Sequence, residues 1–138
     1  MNSNQNEIRD LLKSIEDEYS GDLIPASIEN IELFKIKAVA NGVNTSVIEQ
    51  LVDLYTVADN YMAQMILGFH SCNDAVLYEW WAEKELWLGQ LDFNTIRWAN
   101  DKFCLGDASN TSYSKNNEYD TLIDLIKGCI EEINELNE

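Results

Sequence analysis

The chain has 138 residues, 46% of them hydrophobic and 25% charged, a balance that supports a core of its own and argues against a disordered segment. Nine lysines and arginines against 25 aspartates and glutamates give a formal charge of −16, which disfavours nucleic acid and anionic lipid as targets and favours a basic partner. No apolar run approaches the ~20 residues of a membrane span, and Met1 to Asp10 lacks a basic stretch followed by an apolar one, so the expectation is one cytoplasmic domain over residues 1–138.

Ile8, Leu11, Leu12, Ile15 and Tyr19 recur at helical spacing and predict a helix over 5–19, with Asn4 and Glu7 as its capping pair and Gly21 as its stop. Ile28, Ile31, Phe34 and Ala38 predict a second helix, entered at Pro25 and ended at Asn41-Gly42. Ile36 and Val39 fall off that stripe and leave a strand as the alternative. A third helix follows over 46–58, where Ser46 and Glu49 have the spacing of a capping box ahead of Val47, Leu51, Leu54, Tyr55 and Ala58.

From Tyr61 to Asp107 short apolar and aromatic runs alternate with polar pairs, the pattern of an antiparallel meander. Strands are expected at 65–70, 75–81, 85–90, 94–98 and 102–106, with turns at Ser71-Cys72-Asn73-Asp74, Ala82-Glu83-Lys84, Asp92-Phe93-Asn94 and Asn100-Asp101. Residues 108–117 read as a polar loop, and Tyr119, Leu122, Ile123, Ile126, Cys129, Ile130 and Ile133 line one face of a closing helix. The fold class is therefore α+β: an antiparallel meander of about five strands with N-terminal helices and a C-terminal helix packed on it.

Catalytic patterns are sparse. The six glycines are isolated, whereas a phosphate-binding loop clusters them at a strand-to-helix turn. Cys72, Cys104 and Cys129 are too widely spaced for a disulfide framework or a CxxC metal site, and buried reduced thiols are expected. His70, the chain's one histidine, stands two residues from Cys72, which in a strand places both on one face and opens a small-hydrolase reading through a thiolate–imidazole pair. Packed side chains are the plainer reading of the same spacing, and no further His or paired Cys completes a metal site. No catalytic residue, metal or cofactor is assigned.

The run Glu79-Trp80-Trp81-Ala82-Glu83-Lys84-Glu85 combines tryptophans with carboxylates. Strand alternation sends Trp80 and Trp81 to opposite faces, so one of them lies outside the core, where an aromatic ringed by acids suits a protein interface or a sugar platform. With Asp92, the candidate contact set is Glu79, Trp80, Trp81, Glu83, Glu85 and Asp92. Other carboxylates, Glu16-Asp17-Glu18 and Glu131-Glu132 among them, read singly as a solvated surface.

Residues 86–109, Leu-Trp-Leu-Gly-Gln-Leu-Asp-Phe-Asn-Thr-Ile-Arg-Trp-Ala-Asn-Asp-Lys-Phe-Cys-Leu-Gly-Asp-Ala-Ser, resemble the sheet segment of bacterial members of the SUKH superfamily. Leu23-Ile24-Pro25, Ile31, Phe34 and Asn41-Gly42 are similar to that family's first conserved helix, although no Tyr follows Pro25 and the helix at 46–58 is additional. The resemblance implies a non-enzymatic α+β domain used in many bacteria as an immunity protein that binds and neutralises a toxin, often a nuclease. A basic toxin domain would be the partner, consistent with the charge. The runner-up by the same resemblance is a regulator or scaffold of cell-wall glucan synthesis.

Overall fold

The computed structural model describes residues 1–107 and 117–137, so the polar loop expected at 108–117 lies, but for its last residue, outside the described residues. Three helices come first: α1 Ser3–Lys13, α2 Ile28–Ala40 and α3 Thr45–Val57. Strands β1 Met62–Ala63 and β2 Leu67–Phe69 follow, then two 3-10 turns, η1 Ala75–Tyr78 and η2 Trp81–Glu83. Strands β3 Leu86–Leu91, β4 Asn94–Ala99, β5 Lys102–Asp107 and β6 Glu118–Tyr119 lead into α4 Leu122–Leu136. The fold is α+β, with the six strands antiparallel in sequence order among the described residues and the helices on one face.

Local chemistry explains where the boundaries depart from the sequence expectation. Helix α1 is capped by Asn2 and Gln5 in a reciprocal box, not by Asn4 and Glu7. It ends at Lys13 rather than at Tyr19 because side chains compete for the backbone. Ser14 Oγ donates to the Leu11 carbonyl at 2.6 Å, and Asp17 accepts from the Tyr19 N–H at 3.0 Å. Helix α3 is capped by Asn44, which accepts from the Ser46 N–H at 2.8 Å, so Ser46 lies inside the helix.

The expected strand at 75–81 does not form. Asp74 accepts from the Val76 N–H at 3.0 Å and starts a 3-10 turn, Leu77 drops into the core, and the chain turns again at Trp81. A short apolar run fits a strand or a tight helical turn equally well, and here the Asp cap decides. Tyr119 belongs to β6 rather than to the closing helix, whose cap is Thr121. Gly128 of α4 leaves the space that the Tyr119 ring fills; a Cβ there would meet its hydroxyl at 2.2 Å.

The sheet's register separates its faces. Leu86 pairs with Trp98 and Trp98 with Phe103, while Ile96 pairs with Leu105, and these residues face the helices. Buried Ile8 and Leu12 of α1, Leu51 and Leu54 of α3, and Leu125, Ile126, Cys129 and Ile133 of α4 complete that core. Tyr61 donates to the Leu12 carbonyl at 3.0 Å across it, which ties α1 to the start of the sheet. The opposite face carries Trp87 against Arg97, Arg97 against Cys104, and Thr95 against Gly106. Two-residue turns fix this register: Asp92 has positive φ between β3 and β4, and Asn100 and Asp101 both do between β4 and β5.

Candidate functional site

The outer face of the sheet holds a stack of planar groups. Trp87 of β3 and Arg97 of β4 are cross-strand partners, and Trp80, delivered by the link between η1 and η2, lies over both. Its ring is stacked on Trp87 at 4.4 Å between centroids, and the Arg97 guanidinium carbon sits 3.8 Å from its centre. His70 meets Trp87 edge-on at 5.0 Å.

Arg97 is buried, and its charge is met where it lies. Its Nη1 is 2.9 Å from Glu85 Oε1, and its Nε donates to Thr95 Oγ1 at 2.9 Å. The Thr95 hydroxyl in turn donates to the Gly106 carbonyl. Glu85 and Trp80 thus serve a buried cation, and Glu85 keeps 16% of its side chain exposed for a partner to contact.

The candidate contact residues therefore do not form one surface. Trp80 and Trp81 do part company, as adjacent tryptophans were expected to, but from a 3-10 segment rather than a strand. Trp81 turns towards the end of α2, donates from Nε1 to the Asn41 carbonyl at 2.9 Å and meets Tyr78 edge-on. Lys84 Nζ lies 5.1 Å from the Trp81 ring centre and Lys37 Nζ 5.0 Å from that of Tyr78. Glu79 and Glu83 are exposed with Lys84 beside them in sequence, while the buried Arg97 is matched by Glu85. Asp92 sits at the far end of β3, ~20 Å away at the rise of an extended strand.

His70 and Cys72 diverge too. Strand β2 ends at Phe69, so the alternation expected to align them is lost. His70 turns to Trp87, with Nε2 buried and unpartnered, and burial lowers its pKa below the usual 6.5 against an opposing effect of Asp74. Cys72 turns to the helices, its Sγ 3.9 Å from the Asn30 carbonyl, and its N–H donates to Asp59. Burial first, then the Asp59 charge, pushes its thiol up to about 11, the reverse of what an activated nucleophile needs.

Negative charge is instead gathered on the helical side. An open groove of about 500 Å³ between α1, α3 and the start of α4 is lined by Glu7, Glu49, Asp53 and Asp124, four carboxylates against the single lysine Lys127. Lys127 pairs with Glu7 at 3.1 Å, and Asp53 accepts from the side chains of Asn2 and Gln5 at 3.1 and 3.0 Å. Gln50, deeper in the groove, accepts from the Leu122 N–H at 2.9 Å. These residues come from three helices far apart in sequence, so residue spacing gives no sign of the cluster. The Arg97 site left one trace, a lone arginine between the apolar Ile96 and Trp98 of an expected strand.

Among the described residues no group of His, Cys, Asp and Glu is arranged to hold a metal ion, and no helix is long and apolar enough to cross a membrane. Comparison with protein-family profiles, with curated proteins and with solved structures finds no significant match to this chain.

Proposed function

We propose that this chain is a non-enzymatic acidic binding protein of the cytoplasm that neutralises a basic protein partner, in the manner of the immunity proteins its sequence resembles. The observation that carries this reading is the concentration of carboxylates in the groove between α1, α3 and α4, within a chain of net charge −16. Nuclease surfaces that hold phosphate are basic, and an acidic concave surface would capture one rapidly by electrostatic steering. The groove suits this role better than the Trp80 surface, because Glu85 is committed to Arg97 and Lys84 adds a positive charge to that surface over Trp81.

Affinity capture of a basic protein from the source cell, followed by kinetics on purified components, tests the reading. Glu49→Gln with Asp53→Asn is expected to slow association by at least about tenfold at low salt, with dissociation less affected. Glu79→Gln with Glu83→Gln should change it by about twofold or less. Equal effects of the two pairs would move the contact to the Trp80 surface, and association indifferent to salt would overturn steering altogether.

A further inference from the structure

Helix α2 is apolar on both of its faces. Phe34 and Ala38 are buried against the molecule, while Ile28, Leu33, Ile36 and Val39 are between 57 and 82% exposed, and Ile24 ahead of the helix is similarly bare. At ~100° per residue the four outward side chains of the helix fall within an arc of about 140°, which Glu29 and Glu32 share between Ile28 and Leu33. With Ile24 they expose roughly 600 Å² of apolar-residue surface, at the top of the range for a monomer and close to the ~800 Å² that each partner of a specific interface buries.

The charges along the helix say what fits. Elsewhere the surface is strongly acidic, but α2 carries Glu29 and Glu32 in its first half and Lys35 and Lys37 in its second, and is neutral. Such an arrangement complements its own reverse. Let a second α2 lie antiparallel across the stripe, with a two-fold axis near Leu33. Glu32, paired at 3.2 Å with Lys35 of its own helix, then also faces the neighbouring copy's Lys35 on one flank, Glu29 faces on the other the Lys37 whose ammonium lies 5.0 Å from its own Tyr78 ring, and Ile28 packs against Val39. A basic partner gains little from a neutral face and has the acidic groove to choose instead.

We infer that the outward face of α2 is a self-complementary interface through which two copies of this chain pair antiparallel about a two-fold axis. Docking of the basic partner is a separate event, since the groove lies between other helices.

Sedimentation equilibrium of the full chain from 1 to 200 µM tests the inference. Wild type should sediment as a dimer in the upper part of that range. Leu33→Glu with Ile36→Glu should weaken the dimer at least about 30-fold while circular dichroism and Tm stay near wild type, because both side chains are exposed. Glu29→Lys with Glu32→Lys should be monomeric alone, as should Lys35→Glu with Lys37→Glu, and the two double variants mixed should form a one-to-one heterodimer.

A wild-type monomer at 200 µM overturns the inference. So does a dimer that survives Leu33→Glu with Ile36→Glu, or charge-reversed variants that fail to pair with each other. If the Leu33 and Ile36 changes abolish capture of the basic partner and wild type is monomeric, the face belongs to that partner and the dimer is refuted.

Discussion

Glu85 and Arg97 meet at 2.9 Å with 16 and 5% of their side chains exposed, so removing the carboxylate takes a charged partner from a guanidinium largely out of water. Breaking a buried pair from one side costs about 3 kcal/mol, far more than loss of a surface ion pair. Glu85→Ala should therefore lower unfolding free energy by about that amount in a urea titration. An effect below about 0.5 kcal/mol would mean that the pair behaves as an exposed one. His70 supplies an opposite case, since its buried Nε2 has no partner and Phe would keep the edge-on contact with Trp87. Its folded-state pKa is lowered by burial, so the stability it contributes is complete above the ordinary value of 6.5 and is lost as pH falls below it. His70→Phe should match or exceed wild type in Tm at pH 8, and the difference in its favour should widen between pH 6.5 and 5. Parallel pH profiles for the two proteins would refute this.

At the scale of elements, β2 crowds β3 at Gly89, where a Cβ would lie 2.1 Å from the Gly68 carbonyl oxygen and 3.0 Å from Phe69 Cα. The register of β3 on β4 shifts between Trp87 and Gly89, and this irregularity lets β2 sit that close. Backbone cannot swing aside as a side chain can, so Gly89→Ala should destabilise by about 3 kcal/mol, seen as a Tm lower by roughly 10 °C. An unchanged Tm would show that β2 yields freely. The same strands show why the sheet was legible in the sequence. Leu86 to Leu91, Asn94 to Ala99 and Lys102 to Asp107 are long enough for alternation to register, and Asp92, Asn100 and Asp101 mark their turns. Strands β1 and β6, two residues each, give alternation nothing to act on. Ala75 to Tyr78 looked like a strand because the Asp74 cap that turns it is a single side chain. The candidate site was less legible than the fold. One of Trp80 and Trp81 was expected outside the core, without a choice between them; that Trp80 is the one, committed to Arg97, and that Glu49 and Asp124 line one groove, depends on tertiary contacts.

For the whole molecule, a charge of −16 on 138 residues predicts salt responses of different sign for different processes. In the free chain, like charges repel more strongly when folded than when the chain is expanded, so the charge opposes compaction. Raising NaCl from 0.02 to 0.5 M shortens the screening length from roughly 20 Å to about 4 Å and should raise Tm by about 5 °C. Capture of a basic partner depends on the same field acting at a distance, so its association rate should fall at least about tenfold over that range while dissociation changes little. Pairing through α2 brings two acidic bodies together across a neutral apolar face, so screening removes repulsion there without removing the contact. The dimer should tighten with salt where the complex with the basic partner weakens. Sedimentation and association kinetics at the same salt concentrations separate the two surfaces. If both associations weakened together, the α2 face and the groove would be parts of one electrostatic site.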